Sequence, residues 1–382
     1  MQQEKETEQQ VLDAVDKFLI KIKPAVHQLE ADDEYPEEIV AQMQEMGLFG
    51  AVIDPKYGGL GLSVRTYAKI VERIACVWMS LTGVFNSHLI MAMSVQRFGT
   101  QQQKDKWLPL FASGEMRGAL ALTEANCGTD LQSIQTHAKR VGNNYLINGS
   151  KTWITNSLHG SCFALLVKTN TNESPAHKGM SLFIAPKGPG FKMGRTLKKL
   201  GYKGIDTAEF FLDNYALPAE NLIGLEEGHG LQHALGSLAL GRINVAARGV
   251  GVASAALKDS IQYSQLRKTF GKPICQHQSI QIYLADMALR VEAGRLLVDS
   301  AAAAFDEGKR CDMEAGMAKL FATEAAMKNS TEALRIHGAY GYSTDFNVER
   351  YYRDAPLLAI GEGTNELQRI IIAKQLIEKN PL

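Results

Sequence analysis

The sequence has no surplus of either charge. Lys and Arg together number 41, as do Asp and Glu, so no net field draws the chain to nucleic acid or an anionic membrane, and an anionic ligand must be held by local groups. Cysteine is sparse. Cys76, Cys127, Cys162, Cys275 and Cys311 are scattered, odd in number and free of any CxxC pair, which argues against a disulfide framework and a zinc site. A reducing compartment is expected, the cytoplasm of a bacterium or the mitochondrial matrix. The opening "MQQEKETEQQ" lacks the apolar or Arg-rich character of a targeting peptide, and with no stretch read as approaching a membrane-spanning length free of charge, no membrane insertion is expected. Walker A, GxSxG and HExxH motifs are absent, as are repeats and low-complexity tracts.

What is present is an ordinary globular composition, 45% hydrophobic over 382 residues, enough for two or three domains with sizeable cores. Apolar residues recur at helical spacing from Glu8 to about Ala112, as in "VLDAVDKFLIKIKPAV". Near Gly118 the period changes. "IQTHAKRVGNNYLINGSKTWIT" alternates around a Gly-Asn-Asn turn, and "SCFALLVKT", "MSLFIAP" and "TAEFFLD" follow as short bounded runs, the pattern of a compact antiparallel β unit. After "LPAENLIG" the helical period returns. We therefore divide the chain into a helical segment 1–117, a β segment 118–224 and a helical segment 225–382, an α+β multidomain protein.

Isolated motifs carry little. "GGLGLS" and "RGVGVASA" resemble fragments of a dinucleotide fingerprint but follow no strand of a βαβ unit, and read as a turn and a close helix contact. His229 and His233 stand four apart, but Gly230 occupies the place where a zincin needs Glu. No metal site is expected.

Longer segments carry more. "LTEANCGTD", "NGSKTWITN", "RKTFGKPICQHQSIQ", "RIHGAYGYSTDFNVERYYRDA" and "IGEGTNELQR" occur in this order along the chain, preceded by "DPKYGGLG" and "FGTQQQKDKWLPLFASGE". In order and spacing they resemble the acyl-CoA dehydrogenase family of flavoproteins, across nearly the whole length. The resemblance implies a helical N-terminal domain, a β-barrel-like middle domain, a C-terminal four-helix bundle and a homotetramer built as a dimer of dimers. It implies FAD, with electrons passed to an electron-transfer flavoprotein.

Position by position, it implies that Leu120 to Thr129 run along the flavin, with Leu122 and the Thr123 hydroxyl among the contacts, and that Trp153 and Thr155 pack beside the ring. Fixed backbone donors suit polarisation of a flavin without a mobile charge. Arg267, Phe270 and Gln278, and the turn Arg335, His337, Gly338 and Ala339, would meet the FAD of a neighbouring subunit, the guanidinium fork matching a diphosphate. Thr364 and Glu366 complete the cofactor set. Arg242, Thr129, Gly361, Gly363 and, with less support, Arg369 would meet the acyl-CoA. Glu362 stands where many relatives carry the base that removes the α-proton while the β-hydrogen leaves as hydride to flavin N5, giving the trans-2-enoyl thioester. Some relatives carry this acid at the position of Gly241, which here has no side chain.

Four positions depart from the family pattern: Arg335 for Gln, Ala339 for Gly, Ala125 for Pro and Gly361 for the Tyr of many straight-chain enzymes. The last suggests a short, branched or cyclic acyl group. An oxidase of the same fold, a carrier-protein thioester as substrate, or a non-catalytic flavin or acyl-CoA binding protein are the alternatives. The helix predicted from near Thr364 favours an ionised Glu362, whereas a desolvated cleft opposes it.

Overall fold

Some of the helices begin where a short polar side chain closes the first turn. Ser63 accepts from the Thr66 amide at the start of α3 (Val64–Phe98), and Thr100 and Gln103 form a reciprocal capping box on α4 (Gln101–Ala112). The computed structural model describes residues 2–381. The two preceding helices, α1 (Gln2–Ala31) and α2 (Glu37–Glu45), complete the N-terminal helical layer. At Trp78 α3 is interrupted by extended backbone (φ −154°, ψ 101°).

The reading of no long apolar span needs correction at α3. This helix is long and apolar enough to cross a membrane, but 83% of its apolar window is buried inside the protein. Arg73 and Arg97 frame a stretch that carries no Lys, Arg, Asp or Glu between them. Its apolar surface is consumed by the core, as expected of a central helix.

The strands β1 (Gly118–Ala121), β2 (His137–Val141), β3 (Asn144–Thr155), β4 (Cys162–Lys168), β5 (Met180–Pro186), β6 (Phe191–Thr196) and β7 (Thr207–Pro218) form one sheet in the order β1-β4-β2-β3-β7-β6, with β5 also on β4. The sheet is mainly antiparallel, as the alternation implies, but β1 runs parallel to β4 and so does β2 where His137 meets Lys168. Alternation identifies strands and near hairpins; it carries no register between distant ones. On β4, Phe163, Leu165 and Val167 enter the sheet's own core, while Cys162, Ala164 and Leu166 enter the helical core. This double burial locks the sheet to the helices.

The C-terminal part comprises α5 (Gly230–Leu266), the hairpin β8 (Lys268–Thr269) and β9 (Lys272–Pro273), α6 (Gln278–Asp306), α7 (Asp312–His337), α8 (Val348–Ile360) and α9 (Asn365–Lys379). The glycines of "RGVGVASA" admit α7 and α3 to α5. A Cβ at Gly249 would lie 2.7 Å from the Ala322 carbonyl, and one at Gly251 2.5 Å from that of Glu72. Thus α5 is held between α3 and α7, with the α8–α9 junction close by.

Candidate active site

Two glycines and a lysine shape the α8–α9 junction. Gly361 ends α8 in extended backbone (φ −70°, ψ 154°). Glu362 follows at φ 55° and Gly363 at φ 88°, and Thr364 caps α9 by accepting from the Leu367 amide at 3.3 Å. A left-handed Glu is strained, and the next position requires glycine. From α7, the buried Lys319 ammonium donates to the carbonyls of Ala359 (3.1 Å) and Gly363 (2.8 Å) and to Asn365 Oδ1 (3.0 Å). Burial lowers its pKa to about 8.

The Glu362 carboxylate turns inward between α3 and α5. Oε1 accepts from Asn86 Nδ2 at 2.8 Å, and Oε2 is buried with no partner among the described residues. Oε2 lies only 2.0 Å from where a Cβ on Gly241 would stand. Burial raises the carboxyl pKa, outweighing Arg248, the Asn86 hydrogen bond, Lys319 and Arg242, which lower it. Desolvation therefore prevails over the helix start. Arg242 is buried, reaches Asp312 at 3.3 Å through Nη1 and leaves Nε without a partner. Arg369 pairs with Glu324 on the exposed face of α9 (3.2 Å), and Glu366 is exposed nearby.

A second group lies on the sheet. Beyond β1 the chain turns through Leu122, Thr123 and Glu124, where Glu124 and Cys127 exchange backbone hydrogen bonds. Lys151, fully buried on β3, donates to the Leu122 carbonyl (2.9 Å) and to Glu124 Oε1 (2.7 Å), while the amides of Gln135 and Thr136 donate to the same carboxylate. Burial lowers the lysine pKa to about 8 against the pull of Glu124. Ala125 and Thr129 are exposed on the turn. A register shift between Lys151 and Ile154 brings Trp153 to φ 59° with 58% of its surface open, beside the half-buried Thr155.

A third group lines a cavity of about 490 Å³ bounded by Arg267, Phe270, His337, Gly338 and Ala339 together with Tyr263, His277 and Tyr340. Arg267 caps α5 and makes no ion pair with the described residues. Phe270, at the hairpin tip with φ 51°, is 96% exposed. Gln278 opens α6 beside the cavity. His337 stacks on Tyr263 (4.2 Å) and burial lowers its pKa, so it is neutral near pH 7. At Gly338 (φ 62°, ψ −135°) a Cβ would meet nothing, so this chain alone explains the glycine by its dihedrals. Arg335 is exposed, lies over the Tyr283 ring at 5.2 Å and is not among the residues lining the cavity. Residues of the first two groups do not line this cavity either.

His229 and His233 stack on each other, and His233 also stacks on Phe98. Among the described residues no group of three or more His, Cys, Asp or Glu is placed to hold a metal. Asn86, Lys151 and Lys319 escaped the sequence reading. The available signal was a polar residue inside an apolar helical or strand run, as in "GVFNSHLI" and "GMAKLFA".

Domain models of acyl-CoA dehydrogenases match residues 5–115 (N-terminal), 119–215 (middle) and 228–377 (C-terminal). The chain belongs to the acyl-CoA dehydrogenase family. An acyl-CoA dehydrogenase of Bacillus subtilis (strain 168) is 40% identical over 359 residues, 94% of each chain. The structure of butyryl-CoA dehydrogenase from Megasphaera elsdenii matches with a TM-score of 0.94 at 37% identity, covering 97% of this chain and 98% of that one. A chain in a structure described as the electron transferring flavoprotein of Acidaminococcus fermentans matches with a TM-score of 0.94 at 37% identity over 97% of each. Acyl-CoA dehydrogenases depend on FAD, and this member is a flavoprotein oxidoreductase.

Proposed function

We propose that this acyl-CoA dehydrogenase removes the α-proton of an acyl-CoA thioester with Glu362 and yields the trans-2-enoyl-CoA. The observation that carries the reading is Oε2 of Glu362, a buried carboxylate oxygen without a partner on a loop pinned from behind by Lys319. Burial keeps the base from being saturated by water and raises its affinity for a proton. Gly361 leaves open space beside it, since a Cβ there would meet only the Leu357 carbonyl at 3.3 Å. That opening supports a short, branched or cyclic acyl group. Arg242, with its unpartnered Nε, offers a donor to the CoA side.

The residues fit FAD. Exposed Trp153 offers flat apolar area, the Leu122–Glu124 turn offers fixed backbone groups, and Arg267 is a cation without an acid partner among the described residues. When bound, FAD supplies the acceptor for the hydrogen leaving Cβ. The cavity around Arg267 and Phe270 is lined without the Trp153 group, which supports a site completed by a second subunit. Self-association has a surface to use: Ile282, Leu289 and Leu296 on α6 and Ile370 and Ile377 on α9 are 55–73% exposed at two-turn spacing. An electron-transfer flavoprotein is the proposed acceptor of the electrons.

The test is an anaerobic visible spectrum of the purified protein, recorded while straight, branched and cyclic acyl-CoA thioesters are added in turn. Bleaching of the flavin band by one group, lost in Glu362→Gln, supports the base and narrows the substrate. A flavin band that no thioester bleaches sinks the reading. Full activity of Gly361→Tyr on branched thioesters would sink the substrate preference alone, and steady peroxide production in air would mark an oxidase.

A further inference from the structure

Behind Glu362 the helical core holds a file of polar side chains that packing alone does not require. Asn86 on α3 donates Nδ2 to Glu362 Oε1 at 2.8 Å, and its Oδ1 accepts the Tyr67 hydroxyl at 3.2 Å. The Tyr67 oxygen accepts from Asn244 Nδ2 on α5 at 2.7 Å, and Asn244 Oδ1 accepts from Arg248 Nε at 2.5 Å. Tyr67, Asn86 and Asn244 are completely buried and Arg248 is 4% exposed. The direction of every bond is forced from one end. An ionised carboxylate can only accept, so Asn86 must turn its amide N–H toward it and its oxygen toward Tyr67. Tyr67 must then donate, and its oxygen is left to accept from Asn244, whose own oxygen meets the guanidinium. Every donor therefore points from the cation to the carboxylate.

Arg248 has no acid partner among the described residues, and its Nη1 reaches only the Tyr202 hydroxyl, at 3.4 Å. Burying a guanidinium with neutral partners is costly, and apolar side chains of similar volume would pack a helix contact at lower cost. Other charges face Glu362: Arg242 from α5 and Lys319 from α7, with the phenols of Tyr67 from α3 and Tyr202 from the segment before β7. Arg242 is engaged with Asp312, and Lys319 with the loop carbonyls. Only Arg248 is joined to Glu362 by an unbroken run of hydrogen bonds.

We propose that Arg248, Asn244, Tyr67 and Asn86 form a positioning relay that fixes Oε1 of Glu362, leaves Oε2 as the proton-accepting oxygen and conveys the guanidinium charge to the carboxylate. This rests on Glu362 being the base. The α-proton passes to Oε2 while the C–H bonding pair moves into the thioester enolate, and the reverse transfer restores the thioester. In a chain of polarised hydrogen bonds each member strengthens the next, so interruption at Tyr67 is felt at Glu362, two bonds away.

The experiment follows Cα hydrogen exchange in D2O by mass spectrometry, using the holoenzyme and acetyl-CoA, which has no β-hydrogen to lose. Dehydrogenation of an accepted thioester is measured in parallel. In Tyr67→Phe the acid limb of the exchange profile moves to higher pH, because an ionised Glu362 has lost polarised support. Its kcat falls about tenfold with KM within about twofold, the upper scale of one neutral intramolecular hydrogen bond. Arg248→Met, which cuts the far end of the relay, shifts the limb in the same direction. Tyr351→Phe, which removes a buried phenol bonded to Asp259 and not to any member of the relay, leaves it in place. An unmoved limb and rate in Tyr67→Phe and Arg248→Met would overturn the relay, as would an equal shift in Tyr351→Phe. Wild-type protein that dehydrogenates thioesters but exchanges no Cα hydrogen at any pH would instead remove Glu362 as the base, and the relay with it.

Discussion

Gly361 and Gly363 flank the same carboxylate but answer to different constraints. Gly363 is needed for its backbone: at φ 88°, with Gln368 Nε2 2.8 Å from a built Cβ, alanine is strained and crowded. Gly363→Ala should cost about 1–3 kcal/mol in a denaturant melt and reduce kcat by displacing Glu362. Gly361→Ala, at an ordinary φ of −70°, should change stability by less than about 1 kcal/mol. Glu362 itself opposes stability. Its folded pKa is raised above the ordinary 4.5, so the carboxyl's favourable contribution is present below that value and lost as pH rises through the folded one. Glu362→Gln should therefore raise Tm at about pH 8 and change it little near pH 4, while abolishing turnover. In the wild type, kcat/KM should climb with pH as this carboxyl loses its proton.

At the scale of elements, β3 does two jobs with residues two apart. Lys151 points into the protein and grips the Leu122–Glu124 turn, while Trp153 faces out. Strict alternation would put both on one face; the register shift between Lys151 and Ile154 separates them. Lys151→Met should destabilise the protein by about 3–5 kcal/mol, because it leaves Glu124 as an uncompensated buried charge. Loss of FAD on gel filtration should accompany it. The same strand marks how far the sequence could be read. Helical and strand segments were legible because periodicity is local, and the segment resemblance brought out Glu362, Arg267 and Trp153. The bulge, the parallel β1–β4 pairing, the role of Lys319 and the contact of Asn86 with Glu362 were not. That last pair is separated by 276 positions, and no local pattern records which distant side chain a buried polar residue will meet.

For the whole molecule, the exposed stripes on α6 and α9 make a prediction about assembly. Leu289→Glu combined with Leu296→Glu should leave the far-ultraviolet circular dichroism unchanged, shift the mass measured by light scattering toward the monomer and lower retained FAD. A stable monomer with full FAD occupancy would show that one chain suffices for the cofactor. The approach of Glu362 to Gly241 has a different reach. A side chain at 241 would have to enter the space held by Oε2, so two positions 121 apart in the chain compete for one carboxylate-sized volume. Any side chain at 241 would make the Glu362 carboxylate turn aside from where it now stands. The bare backbone of Gly241 is therefore part of what fixes the direction in which the acid points.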